Sequence, residues 1–322
     1  MSASSILLFL VILLVLVIVH EFGHFITAKL VNMRVDEFAF GFPPRLFAKK
    51  KGETTYAVNS LPLGGYVSIW GENGEPDDEA KHDPRAFSNR PKWAQLLVLI
   101  AGVAMNMLLA LFIFIGTSFG TVQMPTDDPT YGARVKNPLL TIVDAAPNSP
   151  AFKAGLVPGT VLTKIVSGGQ QADLSTATSA VSFIERHQND SFTINYVTPD
   201  GQKESTVVAA VYGIVPERKA LGISLSMFGT IHATPLEAVK LGWNATVNMT
   251  QATFQGLVSL ATSIGDGKDV LASLTGPIGI ANVVGQTSHY GWVAVLSLVA
   301  ILSINLAIFN LLPIPALDAG LS

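Results

Sequence analysis

The sequence predicts a polytopic α-helical membrane protein. Three spans are visible, with a cytoplasmic-side β loop after the first and an extracytoplasmic α+β domain inserted after the second. Three observations carry this reading. Hydrophobic residues make up 49% of the 322 and charged residues 13%, against about 25% charged in typical globular chains, and mean hydropathy is +0.45. Long apolar runs occupy residues 6–31, 93–119 and 290–317, the last two without charge. Residues 125–228 turn polar and rich in Thr, Ser, Asp and Gly, at a length suited to one small domain of about 100 residues. A net charge of -3 gives no footprint for nucleic-acid binding. The chain has no cysteine, so disulfides and thiolate-held metals are excluded; any zinc must be held by His and carboxylate.

Residues 1–32 form the first span. No Lys or Arg precedes Lys29, and His20 stands where a signal peptide would be cleaved, so the helix is read as uncleaved. Inside it lies Val19-His20-Glu21-Phe22-Gly23-His24. On a helix, His-Glu-x-x-His sets His20 and His24 one turn apart on one face, spaced to grip one zinc ion. Glu21 sits about 100° round the helix, close enough to act as a base for water at that metal without being a ligand. Two satisfied histidines on an ordinary helix are the bland alternative. Ionisable groups in a lipid-spanning run need a compensating partner, and a metal is one. His20 lies about 21 Å along the helix from Ile6, roughly two thirds of the way through a ~30 Å hydrocarbon core.

Residues 33–92 form the polar loop. Residues 29–92 hold ten of the twenty basic residues, which places the loop in the cytoplasm and the N-terminus outside. Short strands are expected at 36–42, 54–60 and 66–70, punctuated by Gly41, Pro43-Pro44, Pro62 and Gly64-Gly65. Two readings stand side by side: a plain cytoplasmic hairpin, or a β element folding back to the metal and offering an edge to an extended peptide. The second span, residues 93–120, returns the chain outward. Its Gly102 and Asn106 are one turn apart, a small and a polar residue suited to close helix packing. Asn106 either serves that packing or orients a metal ligand or substrate backbone.

Within residues 125–228, runs at 140–143, 161–166 and 191–197 read as strands. Asn148-Ser149-Pro150-Ala151-Phe152-Lys153-Ala154-Gly155-Leu156-Val157-Pro158-Gly159-Thr160 reads as a short helix, a glycine stop and a turn into a strand. This resembles the core of a PDZ domain, with Thr160 where Asp is usual. The resemblance implies a groove that takes a peptide tail by strand addition; a β-rich spacer is the alternative.

Residues 234–288 are read as an interfacial helix and a loop. The run 241–265 is charge-free but carries Asn244, Thr246, Asn248, Thr250, Gln251, Thr253 and Gln255. Trp243, Val247, Phe254, Val258 and Ala261 share one helical face, which suits a helix lying at the interface. Residues 274–279 read as a Gly-Pro turn. Residues 289–322 form the last span, broken by Pro313 and Pro315, which free backbone carbonyls at membrane depth. Asp318 is the sole acid after Asp269. With 241–265 not spanning, Asp318 arrives on the same inner side as His20 and His24 and takes the place of third ligand.

Together these motifs resemble the site-2 protease family of intramembrane zinc metalloproteases, in particular the bacterial regulator-of-sigma type that cleaves anti-sigma factors. The resemblance rests on His20 to His24, Gly41-Phe42-Pro43-Pro44, Pro62-Leu63-Gly64-Gly65-Tyr66-Val67, the PDZ-like stretch, Gly276-Pro277-Ile278-Gly279 and the run from Asn310 to Gly320. It implies one zinc held by His20, His24 and Asp318, with Glu21 as general base. It also implies Asn310 and Pro313 beside the substrate, and Gly64 and Gly65 in a substrate-binding, membrane-associated β element. The implied substrate is a single-span membrane protein in the bacterial inner membrane, its tail or ectodomain met by the PDZ-like domain outside. The usual Asp-Gly-Gly reads Asp318-Ala319-Gly320, one PDZ-like domain stands where enterobacterial members carry two, and family members usually continue into another helix. Two other functions fit these residues less well. A silent PDZ-bearing scaffold has no use for the base at Glu21. A metal transporter needs ionisable groups on several spans, and the second span has none.

Overall fold

The computed structural model describes residues 3–72, 82–215, 218–265, 276–288 and 291–311. The chain divides into two compact units, one from Met1–Thr117, Val239–Ser288 and Trp292–Ser322, the other from Ser118–Ala238 and His289–Gly291.

Helix α1 (Ala3–Leu30) is apolar apart from Ser4, Ser5, the His-Glu-x-x-His motif, Thr27 and Lys29. It stops at Asn32, whose positive φ of 57° lets the Met33 N–H reach the Ala28 carbonyl and the Asn32 N–H the Lys29 carbonyl. That double bond is the Schellman closure of a helix C-terminus, with Asn in place of the usual Gly. Arg90 donates to the Val31 carbonyl just beyond. Strands β1 (Val35–Lys51) and β2 (Thr54–Ile69) are longer than the expected short strands, and each pairs twice. Residues 37–40 face 68–65 on one side and 55–58 on the other, while 45–51 runs back along 59–54. Buried side-chain bonds pin this register: Thr54 Oγ1 donates to the Val35 carbonyl and Asn59 Nδ2 to the Gly41 carbonyl. The base of the sheet is buried against α1 and helix α2 (Lys92–Thr117) through Ala28, Met33, Val35, Ile69, Ala94 and Val98.

The second unit carries strands β3 (Gly120–Pro125) and β4 (Lys136–Ala145), helix α3 (Pro150–Lys153), and strands β5 (Val161–Ser167) and β6 (Gln170–Gln171). Helix α4 (Ala177–Arg186) and strands β7 (Ser191–Val197), β8 (Lys203–Ala209), β9 (Val211–Val215), β10 (Arg218–Ala220) and β11 (Ile223–Ala233) complete it. The main sheet runs β3-β11-β4-β5-β7-β8, with β6 paired to β5. Leu140, Ile142, Ile165, Phe192 and Ile194 form its core with Phe183 and Ile184 of α4. α3 is started by Ser149, whose side chain accepts from the Phe152 N–H, with Pro150 in the first turn. Gly155 ends the turn at a φ of +81°, a conformation that costs glycine nothing.

Helix α5 (Pro235–Gly265) begins on a capping box: Thr234 Oγ1 accepts from the Glu237 N–H, and Glu237 accepts from the Thr234 N–H. Arg134 pairs with the same carboxylate. The Arg134 guanidinium and then the Thr234 N–H hold the Glu237 carboxyl down at about 2. A depressed pKa contributes stability above the ordinary value of 4.5, and that stability drains as pH falls towards about 2. In pH-dependent thermal unfolding, Glu237→Gln therefore lowers the melting temperature near pH 7 and flattens its fall between those limits.

Further along, α5 packs through Ala245, Met249 and Leu257 against Ala110 and Phe114 of α2 and against Ala300, Ile304 and Ile308 of helix α7 (Trp292–Leu311). Thr253 Oγ1 donates to Asn305 Oδ1 of α7 at 2.9 Å. Trp243, Phe254 and Val258 remain exposed. Helix α6 (Pro277–Ser288) starts at Pro277, where a turn was expected, because proline's fixed φ suits a first helical position. Its Val284 is buried beside Ile12, Leu16 and Val299. Among the described residues, three helices are long and apolar enough to cross a membrane: α1, α2 and α7. The protein is thus built from candidate membrane helices and a sheet-rich region.

Candidate metal centre

His20, Glu21 and His24 leave α1 where it crosses α2, and small residues permit the crossing. A Cβ on Gly23 would run into the Ala101 carbonyl, and one on Gly102 would stand within 3 Å of both imidazole rings. The rings meet edge to face with centroids 4.8 Å apart, and their Nε2 atoms are 3.1 Å apart. Two nitrogens bound to one tetrahedral zinc at about 2.0–2.1 Å stand roughly 3.3 Å apart. The pair therefore fits a shared zinc ion. His24 Nδ1 faces the Val98 carbonyl at 2.8 Å, which turns the ring so that Nε2 points inward.

Two asparagines join the histidines. Asn106 of α2 is fully buried, its side-chain amide 3.3 Å from His20 Nδ1, and Ser303 of α7 donates to its backbone carbonyl. Asn310, near the end of α7, brings Nδ2 to 3.3 Å from His20 Nε2. Glu21 lies on the side of β2: the Val67 N–H donates to its Oε2 at 3.1 Å. Gly64 and Gly65 precede Val67 and serve close packing, since a Cβ would press on the Phe42 ring at the first and on the Ala39 carbonyl at the second. Nearby, burial raises the carboxyl of Glu72 above its ordinary value. Asp318 and Pro313 lie outside the described residues, and among those described no third His or carboxylate completes a metal-binding group.

Sequence reasoning singled out the side chains and missed the backbone partners. The Val67 N–H and the Val98 carbonyl have no signature in residue identity. Gly102 was legible only as a small residue for packing, because its closeness to the rings depends on where α2 crosses α1.

Residues 8–321 match Peptidase family M50. The chain belongs to that family. Among its relatives, it is 32% identical over 326 residues to a protein of Clostridium acetobutylicum named "Putative zinc metalloprotease", covering 99% of this chain and 86% of that one. A relative so named in Fusobacterium nucleatum is also 32% identical, over 98% of this chain and 85% of its own length. The Regulator of sigma-W protease RasP of Bacillus subtilis is 26% identical, over 99% of this chain and 89% of its own. As an M50 peptidase, the protein is a metalloprotease, and its cofactor is zinc. The donor set agrees: two imidazoles and no thiol.

Proposed function

We propose that the protein hydrolyses a peptide bond in or beside the transmembrane segment of a single-span membrane protein, an anti-sigma factor being the type of substrate. The observation that carries this is the His20–His24 pair, with converging Nε2 atoms, in the final third of an apolar helix long enough to span a bilayer. The resemblance to a protease named for regulating sigma-W supports the substrate class.

In this reading His20, His24 and Asp318 hold the zinc ion. Bound there, zinc supplies Lewis acidity and a water acidic enough to lose a proton near neutral pH. Glu21 does the proton work. Its Oε2 is held by the Val67 N–H, so Oε1 takes the proton of the attacking water. As the carbon–nitrogen bond breaks, Oε1 passes that proton to the leaving amine. A helical substrate hides its peptide bonds in internal hydrogen bonds, so it must unwind first. The edge of β2 around Gly64 and Gly65 offers backbone groups to an extended strand, and Asn310 and Pro313 bind the same strand.

In this reading the catalytic side faces the cytoplasm and the inserted PDZ-like domain lies outside the bacterial inner membrane, which the basic loop at 29–92 supports. That domain takes a peptide tail or screens a substrate ectodomain. Its groove is the edge of β11 at 223–226, which pairs with β4 on one side while β3 begins pairing only at Phe228. Val181, Ile184, Ile223 and Leu225 line it.

Purified protein in proteoliposomes should cut a single-span reporter within its membrane segment, stop when a zinc chelator is added and resume when zinc is returned. Cleavage indifferent to chelation, or confined to soluble peptides, would overturn the proposal.

A further inference from the structure

Both candidate ligands on α1 are addressed from behind by α2, but not by the same kind of group. His24 Nδ1 faces the Val98 carbonyl. A carbonyl only accepts, so Nδ1 carries the ring proton and Nε2 keeps its lone pair. His20 Nδ1 faces the amide of Asn106 instead. With its nitrogen turned to His20, Asn106 leaves its amide oxygen buried and without a partner among the described residues.

An amide has nearly the same shape either way round and the opposite hydrogen-bonding sense. With Nδ2 against Nδ1, His20 carries its proton on Nε2, aimed at His24 Nε2. With Oδ1 against Nδ1, the proton sits on Nδ1 and both Nε2 lone pairs converge on one point. Only the second arrangement offers two ligands to one ion.

We infer that Asn106 is a positioning residue for the metal centre: its Oδ1 accepts from His20 Nδ1–H and so fixes the tautomer in which Nε2 is the ligand. The inference rests on the ligand assignment above and deepens it. Asn106 never touches the substrate, and its effect is felt through His20 alone.

The test is zinc affinity of the purified full chain, by competition with a chromophoric chelator, together with nitrogen-15 shifts of the labelled histidines. Asn106→Leu, similar in volume but without an acceptor, should weaken zinc binding about 10–100-fold, the usual cost of losing such a partner. Asn106→Asp, which still accepts from Nδ1–H, should restore most of it. The zinc-loaded wild type should show His20 protonated on Nδ1. A folded Asn106→Leu protein with wild-type affinity would overturn the inference, as would Asn106→Asp proving as weak as Asn106→Leu. If Asn106→Leu does not fold, the wild-type spectrum decides, and a proton on Nε2 of His20 overturns it. A wild type that binds no zinc fails before any mutation is made, and that result overturns the ligand assignment and the inference with it.

Discussion

Glu21→Gln should abolish proteolysis while leaving zinc in place. Glutamine keeps the length of the side chain and an oxygen for the Val67 N–H, which bonds Glu21 Oε2 at 3.1 Å, so the local packing survives. What disappears is the ability to take a proton from water and return it to the leaving amine. General acid–base groups contribute about 10²–10⁴-fold, or about 3–5 kcal/mol at 1.36 kcal/mol per factor of ten. Single-turnover cleavage of a membrane-spanning reporter should fall by that factor, with zinc stoichiometry by atomic absorption unchanged. Wild-type cleavage by this variant would remove Glu21 from the mechanism. Loss of zinc alongside activity would make Glu21 part of the metal-holding set instead.

Gly102→Ala should disable the centre without touching a single ligand. The new methyl group would stand 2.6 Å from His20 Cε1 and 2.7 Å from His20 Nε2, and closer still to His24 Nε2. Either the rings swing away or α1 and α2 move apart. Overpacking of this kind costs about 1–3 kcal/mol, and the displaced rings should lower zinc affinity about 10–100-fold. Gly116→Ala is the control, since it lies on the same helix with nothing among the described residues within 4 Å of the added methyl. It should bind zinc normally. Equal behaviour of the two variants in a chelator competition assay would refute the tight crossing at Gly102.

Several features of this protein were legible because they follow from spacing along one element. The His20–His24 pair is four residues apart on a helix, and helical geometry alone puts both rings on one face. The candidate spans α1, α2 and α7 announce themselves by length and lack of charge. Ser149-Pro150 and Gly155 mark the start and stop of α3 because capping and positive φ are local requirements. The back half of β1 was not legible. Residues 45–51 are exposed throughout and carry no inside–outside alternation, so their pairing with 59–54 rests on backbone bonds that any side chain could accompany.

The metal motif, its place in an apolar helix and the family are all written in residue identity and spacing. How the two imidazoles are turned and what holds Glu21 depend on packing between elements. Those orientations come from the Val98 carbonyl, the Val67 N–H, Asn106 and the bare Cα of Gly102, each brought in from another element. Periodicity describes one helix at a time, whereas the aim of a ligand is set where two helices and a strand edge meet.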